Sequence, residues 1–159
     1  MTLPPKKWES LGGPVPLFDR LIDLHPDEPE EAISLLNYTK EQLVESIIRE
    51  ASALLNTRCQ TPYKIYDEME PSSLTYGVPE LYGLFDSSYA DPSRSEDQIK
   101  LCRFIATTLG MFDKRLQNIE VTIDKYDQSN QKAYISIKAD LKIGKMVDSI
   151  VFPVQISRS

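Results

Sequence analysis

The sequence predicts an α+β domain: two main helices packed on a three-stranded antiparallel β-meander, with an extended N-terminal arm and a long central loop. Two stretches before residue 113 carry apolar residues at the helical period of about 3.6. Three stretches after residue 116 alternate apolar and polar residues, as half-buried strands do. Ten of the eleven prolines lie at or before Pro92, which confines the irregular chain to the first part of the sequence.

The 159 residues amount to one domain, long enough to bury a sizeable core. Eighteen Lys and Arg face twenty-four Asp and Glu, a net charge of -6. Residues 1–80 alone carry 7 basic and 14 acidic side chains, a net of -7, and the rest of the chain nets +1. Such a balance argues against general nucleic-acid binding, which neutralises phosphates with Lys and Arg. No apolar run approaches the roughly 20 residues that span a bilayer. The start, MTLPPKKWESLGGP, has no apolar signal-peptide core, so the cytosol is the expected compartment. Cys59 and Cys102 are then expected as reduced thiols, and with His25 as the single histidine no zinc set is expected.

Residues 1–37 read as the arm, with prolines at 4, 5, 14, 16, 26 and 29 that forbid a long helix. Within it Leu17, Phe18, Leu21, Ile22 and Leu24 have helical spacing and suit a turn or two, packed on the chain's own core or docked on a partner. The domain proper is read as residues 38–159. Its first helix is predicted over Lys40–Asn56, with Thr39 and Gln42 as a capping box and Leu43, Val44, Ile47, Ile48, Ala51, Leu54 and Leu55 as its stripe. The opposite face, with Glu41, Glu45, Arg49, Glu50 and Ser52, reads as solvated.

Residues 57–94 read as a long irregular loop holding five of the eight tyrosines, which suit either an interface or pinning of the loop. The second helix is predicted over Glu96–Phe112, capped by Ser93 with Glu96 or by Ser95 with Gln98. Its stripe is read as Ile99, Cys102, Ile105, Ala106, Leu109 and Phe112, with Cys102 a buried, inert thiol. Strands follow: Ile119, Val121 and Ile123 alternate, Asp127–Asn130 turns, and Ala133 to Ile143 gives the clearest alternation. A tight turn at Gly144-Lys145 leads to a last strand with Met146, Ile150, Phe152, Val154 and Ile156 on one face. Pro153 makes that strand an edge or a bulge.

Glycine-rich phosphate loops, GxSxG, HExxH and CxxC are all missing from the sequence. Carboxylates are plentiful, and Glu80 and Asp113 are the least generic, but nothing pairs two of them in contrasting environments as glycoside cleavage requires. The informative cluster is Met111-Phe-Asp-Lys-Arg-Leu116, an acid and two bases at the corner between helix and strand. Lys114 and Arg115 suit the dipole of the helix end. Arg115 also suits a two-pronged contact with a partner or with Asp113.

The pattern resembles the gene-25-like baseplate proteins, which include the TssE subunit of bacterial type VI secretion and a wedge protein of contractile-tailed phages. The matching stretches are Pro16-Leu-Phe-Asp-Arg-Leu21, Ser46-Ile-Ile-Arg-Glu50 leading to Leu54-Leu-Asn-Thr-Arg58, Tyr76-Gly-Val-Pro-Glu-Leu81, and Phe112-Asp-Lys-Arg-Leu116 followed by Asn118-Ile-Glu-Val121. They cover roughly residues 16–125 in order, and the first of them favours the type VI branch. The family's Glu-Pro-Arg signature stands here as Asp113-Lys114-Arg115, and Tyr63 to Pro71 looks like an insertion.

The resemblance implies a non-catalytic structural subunit of a baseplate at the inner face of the cytoplasmic membrane, without cofactor or metal. It implies binding to the wedge proteins TssF and TssG and a start for the sheath proteins TssB and TssC. The partner-binding residues expected on this basis are Leu17, Phe18 and Leu21 in the arm, Asp113, Lys114 and Arg115 at the corner, and Ile150, Phe152 and Val154 in the last strand. A peptidoglycan hydrolase and a generic cytosolic adaptor are the competing readings.

Overall fold

The computed structural model describes residues 11–22, 27, 37–71, 74–85, 94–144 and 146–157. The expectations for Leu24, His25, Tyr89, Ser93, Lys145 and the Met146 side chain fall outside these residues. The chain forms two compact units, residues 1–47 and 48–159, and the second main-chain helix contributes to both.

In the first unit, β1 (Leu11–Pro14) pairs antiparallel with β2 (Asn37–Thr39). Part of the expected extended arm is thus a strand of a two-stranded sheet. A single helical turn, α1 (Leu17–Arg20), starts behind Pro16. Helix α2 (Lys40–Leu55) begins where the capping box predicts. The Thr39 N–H donates to Gln42 Oε1 at 3.0 Å, and the Gln42 N–H donates to Thr39 Oγ1 at 3.3 Å. Each satisfies a donor that the first helical turn leaves without a partner.

The second unit begins in α2, where Ala51, Leu54 and Leu55 are buried. The described residues of 57–94, a stretch expected to be irregular, include short elements: β3 (Arg58–Cys59), α3 (Tyr63–Glu68), a 3-10 turn at Pro79–Leu81, and β4 (Leu84–Phe85). β3 and β4 pair in parallel, and Gly83 supports the turn into β4 with a φ of +105° that side chains with a Cβ rarely adopt. Elements of two to six residues are too short for a hydrophobic period to reveal. They are held by packing: Cys59, Tyr66, Leu81 and Met111 form one buried cluster, flanked by Met69, Phe104 and Phe112.

Helix α4 spans Ser95–Phe112, but its start and its buried face differ from expectation. Arg94 occupies the N-cap without a side-chain hydrogen bond, so the Ser95–Gln98 box does not form. The buried residues are Leu101, Ile105, Thr108, Leu109 and Met111. Ile99 is 63% exposed and Cys102 is only half-buried. The reason is that α4 packs against β5 and also faces the cluster around Tyr66, so its contacts cover a wider arc than one stripe. Burial still raises the Cys102 thiol pKa, offset in part by a backbone hydrogen bond, and both cysteines are free thiols.

Strands β5 (Leu116–Asp127), β6 (Lys132–Ile143) and β7 (Met146–Ser157) form the predicted meander in the order β5-β6-β7. Ala133, Ile135, Ile137, Ala139 and Leu141 of β6 are buried, as are Ile150, Phe152, Val154 and Ile156 of β7. β7 is an edge, and its register against β6 runs unbroken through Ser136↔Pro153, so proline causes no bulge there. The irregularities lie instead between β5 and β6, at Gln117/Glu120 and Ile123/Lys125, with Asn118 at a φ of +50°.

Candidate interaction site

Three surfaces hold the expected site residues. The first is the apolar turn of unit 1. Asp19 faces inward, where its Oδ2 accepts from Tyr38 Oη at 3.1 Å and from Ser46 Oγ at 2.8 Å, and Ser46 is itself buried. Arg20 Nε donates to the Val15 carbonyl at 2.9 Å and closes the turn. With the polar residues of the motif tied down, its apolar ones point out: Leu17, Phe18 and Leu21 are 71%, 80% and 72% exposed, and Ile22 is exposed beside them. Large apolar groups clustered on a surface mark a contact with another molecule.

The second surface is the corner after α4. Asp113 is the C-cap of α4, and its Oδ1 accepts from the Arg115 N–H at 3.0 Å, a short loop that its one-methylene side chain suits. The guanidinium of Arg115 grips the same carboxylate with two prongs, Nε to Oδ1 at 2.8 Å and Nη2 to Oδ2 at 2.7 Å. Nη2 also donates to Glu50 of α2, a residue the polar-face reading left to solvent. Burial works against the charge on Arg115, but the Asp113 hydrogen bonds and the charges of Asp113 and Glu50 outweigh it and raise its pKa. Lys114 behaves as the helix-end cation expected, with Nζ donating to the Gly110 carbonyl at 2.7 Å and lying 5.8 Å from the Tyr76 ring centre. The Asp113 and Arg115 groups expected to meet a partner therefore bond within the unit.

Gly77 explains the neighbouring Tyr76-Gly-Val-Pro stretch. A Cβ there would lie 2.4 Å from Cε1 of Phe112, and the Gly77 N–H donates to the Met111 carbonyl at 3.1 Å. The tyrosines divide: Tyr66 is buried in the cluster, Tyr82 stacks edge-on against Phe112 at 5.2 Å, and Tyr76 is exposed. Beside this corner a groove of about 430 Å³ is lined by Leu74, Ala106, Lys114, Gln117 and Asn118 among others.

The third surface is β7. Ile150, Phe152 and Val154 are 7%, 1% and 4% exposed, so their side chains belong to the core and not to an exposed surface of the strand. Asn56, just beyond α2, lies against that edge, a contact with no signal in the sequence. Among the described residues no group of three or more His, Cys, Asp or Glu could hold a metal ion, and no helix is long and apolar enough to cross a membrane.

An exposed apolar turn, a fixed charged corner and an open strand edge on a small α+β fold define a protein whose exposed features suit contact with other proteins. The family model described as baseplate wedge protein gp25 matches residues 41–145, which is 105 of the 159 residues, and the chain belongs to that family. It is a structural component of a baseplate, a setting in which it associates with other baseplate proteins. A solved structure of the baseplate complex from the type VI secretion system is similar at 15% identity and a TM-score of 0.48, covering 74% of this chain and 97% of that one. A crystal structure from Geobacter sulfurreducens described as a tail lysozyme is similar at 10% identity and a TM-score of 0.43, covering 74% and 94%. No curated protein matches the sequence.

Proposed function

We propose that this chain is the TssE-type subunit of a type VI secretion baseplate, and that it binds the wedge proteins TssF and TssG and starts the sheath of TssB and TssC without catalysis. The observation that carries this reading is the apolar turn: Leu17, Phe18 and Leu21 are exposed while Asp19 between them is anchored inward. The anchored turn presents a preformed apolar plug, which lowers the ordering cost of docking on a wedge protein. Asp113, Lys114 and Arg115 form a second contact, offered as a corner whose guanidinium is preset by Glu50. The third is the β7 edge, which Ile150, Phe152 and Val154 hold in place from the core side. The baseplate assembles on the cytoplasmic side of the inner membrane.

The residues also weigh against peptidoglycan cleavage. That chemistry takes two carboxyl groups facing each other across a groove. The groove beside the corner is lined by a lysine, a threonine, two amides, a glycine and apolar side chains, with no carboxyl group among these described residues, and the nearby Asp113 carboxylate is held by Arg115. The test is co-purification with TssF and TssG of a chain carrying Leu17→Ser, Phe18→Ser and Leu21→Ser. These side chains are exposed, so the variant should fold and lose the wedge proteins. Undiminished co-purification would remove the apolar turn from the contact.

A further inference from the structure

The side-chain amide of Asn56 lies along the free edge of β7 and bonds to it as a short strand would. Its Oδ1 accepts from the Ser157 N–H at 2.9 Å, and its Nδ2 donates to the Gln155 carbonyl at 2.9 Å. The same Nδ2 donates to the Ser52 carbonyl at 2.8 Å, which fixes the amide at the end of α2. The carbonyl of residue 155 and the N–H of residue 157 therefore point away from β6. In a strand, the N–H and C=O of one residue point to the same side and alternate from residue to residue. The register of β7 is unbroken from Met146 to Ser157, so Val147, Ser149, Val151 and Pro153 also direct their main chains outward. This agrees with the unbroken ladder at Pro153, whose missing N–H falls on the free side.

The edge is thus divided. Val147, Ser149 and Val151 each present an N–H and a C=O that no described residue caps. All three are exposed, and Val147 and Val151 add β-branched side chains at 59% and 65% exposure. Pro153 has no N–H to offer, and beyond it Asn56 already occupies the Gln155 carbonyl and the Ser157 N–H. We propose that a strand adding to β7 pairs only along Val147–Val151, and that Pro153 and the Asn56 amide end this template and so set the register. The occupant is an extended segment of a sheath protein with its main chain unpaired, lying beside Val147 and Val151. This identification rests on the proposed function, and the limit on register rests on the edge itself.

Two proline variants and amide exchange test it. Val151→Pro and Gln155→Pro each remove an outward N–H and leave the ladder to β6 intact. Val151→Pro should abolish sheath growth from TssB and TssC, and Gln155→Pro should leave it unchanged. Equal loss in both would overturn the stop at Pro153. Normal growth in both would remove β7 as the start of the sheath, and with it the occupant. Hydrogen exchange on the unaltered chain gives a second reading if Val151→Pro does not fold. In the free chain the amides of Val147, Ser149 and Val151 should exchange at least about tenfold faster than that of Ser157, and Asn56→Ala should remove the difference. In complex with TssB and TssC the first three should become protected while Gln155 stays as before. Protection of the first three in the free chain, or of Gln155 in the complex, would overturn the proposal. A chain that shows the free-state pattern and binds neither sheath protein would overturn the occupant and the proposed function while leaving the divided edge standing.

Discussion

The guanidinium of Arg115 joins the end of α4 to the middle of α2 by donating to Glu50, 65 residues earlier in the chain. Both partners sit in the second unit, and Asp113 completes the clasp from the other side of the guanidinium. A cation that only faced solvent at a helix end would contribute about 0.3–1 kcal/mol. A partly buried, two-pronged contact shared with a second carboxylate belongs to a stronger class.

Arg115→Ala should therefore lower stability by about 1–3 kcal/mol, since hydrogen bonds to charged groups fall in that range once one partner is removed. The side chain of Glu50 is 41% exposed, so Glu50→Ala should cost less than Arg115→Ala. Urea denaturation of the two single variants and the double variant gives the coupling directly. A double-mutant cycle with no coupling, together with a wild-type melting temperature for Arg115→Ala, would show that the clasp does not hold the unit and would leave Arg115 to a partner alone.

Gly77→Ala should destabilise the second unit by about 1–3 kcal/mol, the usual cost of forcing extra atoms into a packed site. The new Cβ would meet the Phe112 ring, and that ring is confined by Tyr82. A second change, Phe112→Leu, should recover part of the loss by vacating the overlap. An alanine variant as stable as the parent, with Phe112 and Tyr82 unmoved in its near-ultraviolet dichroism, would show that the stretch around Gly77 gives way instead.

The turn between β5 and β6 should respond to acid. The Asn130 side-chain amide and the backbone N–H groups of Asn130 and Ser129 all donate to the Asp127 carboxylate and hold its pKa below the ordinary value. A carboxylate depressed on folding adds stability above its unfolded pKa of about 3.9, and that contribution is lost as pH falls through the lower folded value. Carbon-detected titration of Asp127 should give a midpoint below about 3.9, with the Ser129 and Asn130 amides shifting in step. A midpoint at or above that value would mean that these hydrogen bonds are not kept in solution.

The sequence by itself determined the long elements and the kind of fold. The apolar stripe and the Thr39–Gln42 box define the start of α2, and alternation defines β6 and β7 almost residue by residue. These signals are local: the period of an element is written in the residues that form it. Leu17, Phe18 and Leu21 were legible as an apolar group for the same reason. Their exposure was not, because it depends on Asp19 turning inward to Tyr38 and Ser46. Tertiary structure alone decided the face of α4, since that helix serves both the sheet and the cluster around Tyr66. It decided the short elements between residues 57 and 94, which exist through packing and carry no period of their own. It also paired Glu50 with Arg115 and laid Asn56 on β7, contacts across 65 and about 100 residues. A side chain on a polar helix face looks the same in sequence whether it meets water or a distant strand, so only the folded chain separates the two.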